Sequence, residues 1–317
     1  MLLTGPLVMA VLLAVFAGGA LAETAPQGSL DANNLDATPS TAGQLSLSRY
    51  YAIGQTFTAV NSGELTSAQA LLFLYAIGTP PTEPFTMEIT NVDASGAPVG
   101  EPLASTTIPA SAVSAVGPIP GSLVTGVFSD PATVEAGQQY ALVLKTRSFA
   151  NYAVAISTTE VGSPYEGGIM PYQFDPFGEF GGPSEWFRGE SIDMIFAIYV
   201  TPDTKAPEVA SVNPDKEAQG AARGSTVSAT FSEAVRATTL TSSTVQLFSG
   251  NSTKPIKATL SVNPATDPTS VTLTPSERLD AKTRYTAKIK GGATGVKDLA
   301  GNPLSSDFSW TFTTGVR

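Results

Sequence analysis

The 317-residue chain contains no histidine and no cysteine, and only 14% of its residues are charged, with a net charge of −10. Missing histidine and cysteine excludes Ser-His-Asp and Cys-His catalysis, imidazole or thiolate metal sites, iron–sulfur clusters and disulfides. The length suggests about two domains, and 29 glycines with 24 prolines mark turn-dense β structure.

Residues 7 to 17 (LVMAVLLAVFA) form an apolar run, followed by two glycines and Ala20-Leu21-Ala22, a small-x-small cleavage pattern. This layout predicts a signal peptide over 1–22 and an exported chain, although the leading MLLTGP carries no lysine or arginine. The opposing reading is an uncleaved anchor, for which the run is short. Residues 23–43 read as an N-terminal extension.

The segment 44–201 reads as β throughout. Gly54–Ala59, Leu65–Tyr75, and the alternating sets Phe85/Met87/Ile89, Tyr140/Leu142/Leu144 and Tyr152/Val154/Ile156 predict strands. Ile192–Val200 is nearly all apolar and predicts one central strand covered on both faces. Eight or so strands suggest a jelly-roll-like sandwich.

Between them, Gly162–Glu190 reads as a long loop carrying Tyr165, Tyr172, Phe174, Phe177, Phe180, Trp186 and Phe187. These rings either cap an open end of the sandwich or stack on sugar. For the sugar reading the ligand-binding candidates are Tyr165, Tyr172 and Trp186, because each keeps a polar handle. The acids Glu166, Asp175, Glu179, Glu185, Glu190 and Asp193 share the region. Glycoside hydrolysis needs two carboxylates, but no pair is fixed here and no catalytic residue is assigned. No metal site is assigned either, and no cofactor is expected. Calcium is the one cation these acids, or Asp298 with Asn302, would suit.

Residues 1–204 hold 4 basic and 18 acidic side chains, net −14, and residues 205–317 are net +4. The switch falls at 202–207, where two prolines favour an extended linker. The acidic half argues against nucleic acid as a partner. From 208 to 317 a period of two recurs: Val227/Ala229/Phe231, Ile256/Ala258/Leu260/Val262, Val271/Leu273, Tyr285/Ala287/Ile289 and Phe308/Trp310/Phe312. About seven strands in about 110 residues predict an immunoglobulin-like sandwich. Phe231–Val235 reads as a strand entering one helical turn, with Glu233 a solvated helix-start charge.

The order KAPEVASVNP, STVSATFSEAV, VTLTPSERLDAKTRYTAKIKGG and KDLAGNPLSSDFSWTFTTG resembles the bacterial Ig-like domain of S-layer and other cell-surface proteins. The resemblance implies a structural spacer or adhesive element without catalytic residues. SLDANNLDAT, YAIGQTFTAVNSGELTSAQALLFLY and SDPATVEAGQQYALVLKT resemble, more loosely, the choice-of-anchor modules of secreted bacterial proteins. The expectation is therefore an all-β chain, a jelly-roll-like β-sandwich followed by an immunoglobulin-like β-sandwich. It would be a secreted or cell-surface, non-enzymatic structural or adhesive protein. Cell-wall or extracellular glycan, or other surface proteins, are its expected partners. The alternatives are a carbohydrate-binding module using loop 162–190 and, more remotely, a carboxylate-based glycoside hydrolase.

Overall fold

The computed structural model describes residues 25–36, 44–117, 121–158, 165–180, 185–189, 191–263 and 267–316. The expected signal peptide over 1–22, part of the 23–43 extension, and positions 162–164, 181–184 and 190 of the aromatic segment lie outside the described residues. No helix among the described residues is long and apolar enough to cross a membrane.

The chain is all-β. The first part contains β1 (Ser29–Asn33), β2 (Gln44–Leu47), β3 (Tyr51–Thr58), β4 (Gly63–Leu74), β5 (Phe85–Val92), β6 (Pro98–Ile108), β7 (Ser122–Val134), β8 (Gln139–Thr146), β9 (Tyr152–Thr158), β10 (Met170–Phe174), β11 (Trp186–Gly189), β12 (Ile192–Met194) and β13 (Phe196–Pro202). One sheet runs β1-β13-β4-β9-β12, with β2 on β9 and β7 on β4; the other runs β11-β10-β3-β8-β5-β6. Alternate residues of both sheets point inward, as a period of two requires. Phe57, Leu65, Leu72, Phe85, Met87, Leu142, Tyr152 and Phe196 meet in one core and are essentially unexposed. Full burial of such side chains contributes about 1.5–3 kcal/mol each, which a chain without disulfides depends on.

Two expectations need correction. Ile192–Val200 is not one strand. Ile195 lies between β12 and β13, donating its N–H to Ala155 and accepting from the N–H of Leu71, so the chain moves from β9 to β4 at that residue. The second half, β13, is the expected central strand: Phe196, Ala197 and Ile198 are fully buried between β1 and β4. Its outer side is helped by a small satellite cluster of Leu71, Phe73, Ala153, Ala155 and Ile195. The segment 162–190, expected as a loop, contains the antiparallel pair β10–β11, and β10 extends the sheet by pairing with β3.

The second part contains β14 (Val209–Asn213), β15 (Ala218–Ala221), β16 (Val227–Phe231), β17 (Val245–Ser249), β18 (Ala258–Asn263), β19 (Asp267–Pro275), β20 (Arg284–Ile289) and β21 (Phe308–Thr314). Its sheets are β14-β16-β19-β18 and β15-β21-β20-β17. A separate core joins Val227, Phe231, Leu247, Tyr285, Ile289, Trp310 and Phe312. Trp310 is buried and donates its indole N–H to the carbonyl of Pro214 at 3.0 Å, so its polar atom carries no desolvation cost. The eighth strand, β15, was not expected. Its sequence, Ala-Gln-Gly-Ala, has no alternation, and it lies at the sheet edge, parallel to β21. Helical geometry also comes later than expected. Val235 bridges Asp298, and the 3₁₀ turn spans Ala237–Thr239.

Candidate functional site

The three sugar-binding candidates occupy different places. Tyr165 is half-buried and meets Phe196 edge-on, with centroids 5.1 Å apart at 87°. Burial pushes its phenol up, with the charges of Asp31 and Asp193 adding to the effect and a backbone hydrogen bond with Thr58 opposing it. The residues after it lie flush on β3. Ile169 exchanges backbone bonds with Thr56 (2.8 Å from Thr56 N–H, 2.7 Å to its hydroxyl), and Gly167 O accepts from Thr58 Oγ1. A Cβ on Gly168 would lie 1.9 Å from the carbonyl oxygen of Thr56, so only glycine permits this approach.

Tyr172 stands opposite both Ile53 and Phe187, whereas Trp186 stands opposite Gln173. Since successive residues of a strand face opposite ways, Tyr172 and Phe187 share the face of the core residue Ile53. Trp186 lies on the other face. Tyr172 stacks on Phe187 (5.6 Å, 24°), not on Trp186. The sheet therefore does not align Tyr172 and Trp186 as one stacking platform.

The described acids of this region have separate partners. Asp175 is fully buried and accepts the N–H groups of Glu179 (2.7 Å) and Phe180 (2.8 Å), fixing the turn after β10. Glu179 pairs with Arg49 and with Arg147 (2.6 Å), which hold its carboxyl below the usual range. Arg49 in turn lies over Phe149, 4.0 Å from the ring centroid, and Arg147 lies 4.2 Å from that of Phe177. Asp193 is 4% exposed. Its oxygens accept from Gln55 Nε2 and from Tyr165 N, both at 2.9 Å, and burial without a cation raises its pKa, the two hydrogen bonds opposing. Gln55 is locked in turn because its Oε1 accepts the N–H of Met194.

A second constellation lies where β13 leaves the first sandwich. A cleft of about 490 Å³ is lined by Gly63, Glu64, Asp203, Lys205, Glu233 and Leu299, among others. Asn302 donates through Nδ2 to the carbonyls of Asp203 and Lys205, each at 3.1 Å, so the turn of the second sandwich holds the connecting segment. From the first sandwich, Ser62 accepts the N–H of Asp203 and its hydroxyl reaches the carbonyl of Leu299. Asp298, 1% exposed, accepts from the N–H and Nδ2 of Asn302 at 2.8 and 2.9 Å.

One carboxylate oxygen each of Asp203, Glu233 and Asp298 lies within 4.8 Å of the others. Glu233 is thus not the solvated helix-start charge expected. Oε1 is shielded from solvent. Burial, then Asp203 and Asp298, push its pKa up, while Lys205 and the Ser232 hydroxyl oppose. No local pattern hints that Asp203 and Glu233 meet, since they lie 30 positions apart with three strands, β14 to β16, between them. Asp298 and Asn302 were recognisable as a turn pair.

Comparison with known proteins bears on the second sandwich. Residues 203–314 match the family model described as a bacterial Ig-like domain. No curated protein matches the chain. Among solved structures, the N-terminal part of the bacterial S-layer protein SbsC is similar at 19% identity with a TM-score of 0.27. That likeness covers 35% of this chain and 24% of that one, so it spans about a quarter of the solved protein. Residues 203–314 are a bacterial Ig-like domain, set behind a second all-β sandwich.

Proposed function

We propose that this is a secreted or cell-surface structural protein without enzymatic activity, in which the Ig-like domain is a spacer that presents the acidic sandwich. In this reading 1–22 direct export, 44–201 are the presented module, 202–207 the linker and 208–317 the spacer. The observation that carries it is the braced joint. Two independent cores are connected by a short segment whose carbonyls are held by Asn302 and whose start is held by Ser62. A joint fixed from both sides transmits position and load, which a spacer requires and a free linker does not give. The test is labelling of intact producing cells with an antibody to the first sandwich, together with a polysaccharide-hydrolysis panel on the purified chain. Surface labelling without turnover supports the reading. Labelling only after lysis, or release of sugar, overturns it.

Glycan binding is the second reading, favoured by the Tyr172–Phe187 stack, whose Phe187 is exposed. A flat apolar pair of this kind suits the C–H face of a sugar ring. A glycan array on the purified chain tests it. Binding lost in Phe187→Ala supports it, and an array without binding removes it.

A further inference from the structure

We propose that the groove between the β4–β5 and β8–β9 connections is a binding site for a neutral oligosaccharide, with Tyr75 and Phe149 as its stacking rings. The groove has a volume of about 790 Å³ and lies at one end of the first sandwich, where both connections leave their strands. Neither Tyr172 nor Phe187 lines it, so it is a site separate from their stack.

Its walls are fixed by the fold. The β4–β5 connection starts from Leu74, which donates its N–H to Ala115 O at 2.7 Å and accepts the N–H of Gly117 at 3.1 Å. The connection returns with the carbonyls of Glu83 and Pro84 held by the hydroxyls of Tyr152 and Thr146. The phenolic oxygen of Tyr75 shares a 2.9 Å hydrogen bond with Ser46 Oγ. On the other wall, Arg49 donates its N–H to Ser148 O at 2.8 Å. The same arginine lies 4.0 Å from the centroid of Phe149 and is itself paired with Glu179. Rings held in place beforehand lose little freedom when a ligand arrives.

Two observations point to a ligand. The two most exposed large apolar side chains among the described residues, Ile77 at 91% and Phe149 at 67%, both line this groove. Apolar surface gathered in this way beside polar groups marks a binding site. The polar groups are Thr79, Thr82 and Asn151, which line the same groove and are exposed. Among the described residues their side chains make no hydrogen bond within the chain, so their donors and acceptors are open to a partner.

The ligand class follows from charge. Of the residues lining the groove only Glu83 is charged. Three of the four basic side chains of residues 1–204 are already engaged: Arg49 and Arg147 with Glu179, and Lys145 with Glu88. The net charge of −14 on that part of the chain repels anions, which excludes acidic polysaccharide. A neutral sugar matches the lining on both counts. Its C–H face suits the aromatic rings, and its hydroxyls suit the threonines and the asparagine amide.

Calorimetry on the purified full chain tests this, with cellohexaose, mannohexaose and the hexamer of N-acetylglucosamine as neutral probes and a galacturonate hexamer as the acidic one. We expect at least one neutral probe to bind with a Kd of about 1 mM or tighter, and the galacturonate at least about tenfold more weakly. Phe149→Ala should weaken binding about tenfold, while Phe149→Tyr, which keeps a flat ring, should preserve it. Asn151→Ala should weaken it about two- to tenfold. All three changes fall at exposed positions, so circular dichroism should match the parent. A folded chain that binds none of the neutral probes up to about 10 mM, ten times that Kd, overturns the site. So does galacturonate binding as tightly, or binding that Phe149→Ala leaves unchanged. Binding lost in Phe187→Ala but kept in Phe149→Ala overturns the groove and leaves the Tyr172–Phe187 reading standing. A dimer in sedimentation velocity that Phe149→Ala dissolves makes the groove a contact between copies and also overturns the proposal. If cells display the protein but no probe binds, the groove falls and the spacer reading stands.

Discussion

The phenolic oxygen of Tyr285 accepts the backbone N–H of Asp280, five residues upstream, at 2.8 Å. The first sandwich repeats the arrangement: Tyr140 accepts the N–H of Glu135 at 3.0 Å. The segments read Asp-Ala-Lys-Thr-Arg-Tyr and Glu-Ala-Gly-Gln-Gln-Tyr, and both tyrosines are buried at the start of a core strand. Such a bond ties the turn before the strand to the ring that anchors it. Tyr285→Phe should cost about 0.5–1.5 kcal/mol, since it deletes one hydrogen bond and leaves packing in place. Chemical unfolding followed by tryptophan fluorescence of Trp310 would measure it. Tyr140→Phe should cost a similar amount in the first sandwich.

The two corners differ at their third residue. Gly137 sits at φ 82° and Lys282 at φ 50°. Both are exposed, and a side chain at Gly137 would meet nothing. The left-handed conformation costs a non-glycine residue about 1–2 kcal/mol, partly offset by the greater entropy glycine loses on folding. Lys282→Gly should therefore stabilise the Ig-like domain by up to about 1 kcal/mol, and Gly137→Ala should destabilise the first sandwich. Paired thermal melts of the two variants would decide both signs.

Asp193 gives the first sandwich a pH dependence. Its folded-state pKa lies above the ordinary value of 3.8, so between that value and the raised one the native state binds more protons than the unfolded chain. The contribution of this group to stability is then fully present below about pH 4 and declines as pH rises through the folded pKa. Urea midpoints measured from pH 3.5 upward should show this falling component in the parent and lack it in Asp193→Asn. The asparagine variant should also be less stable at pH 7 by about 1–3 kcal/mol, because one of the two donors at Asp193 loses its acceptor. Equal pH profiles for parent and variant would contradict the assignment.

Tyr165 and Trp186 should separate structural from surface roles. Tyr165 packs on Phe196 at the core margin, so Tyr165→Ala should cost about 2–4 kcal/mol, somewhat below a fully buried aromatic. Trp186 is partly exposed on a four-residue edge strand, so Trp186→Ala should cost about 1 kcal/mol or less. Differential scanning calorimetry of both variants would read the difference.

Most of the fold was legible because one physical signal repeats through it. Phe308, Trp310 and Phe312 alternate with polar residues because one side of β21 meets the core, and period-two patterning reports that directly. The signal fails where a strand is not half-buried in the usual way. β15 is an Ala-Gln-Gly-Ala edge, and β10–β11 mixes proline, glycine and aromatics, so neither alternates. Ile195 is apolar like its neighbours, and nothing local says that the chain changes partner there. Which face each candidate ring occupies depends on the register of β10 against β3, which no local pattern contains. The acidic joint was least accessible. It is assembled by the packing of two sandwiches, and no local pattern contains that.

The amide of Asn302 has a consequence for how such a chain is built. It grips the connecting segment only by its main chain, through the carbonyls of Asp203 and Lys205, which any amino acid would supply. The domain's hold on the segment is thus largely indifferent to the side chains that enter it, while Ser62 of the first sandwich supplies the other half of the brace. Grafted behind an unrelated sandwich, the same domain would keep its grip on the segment, but its tilt would depend on what replaced Ser62.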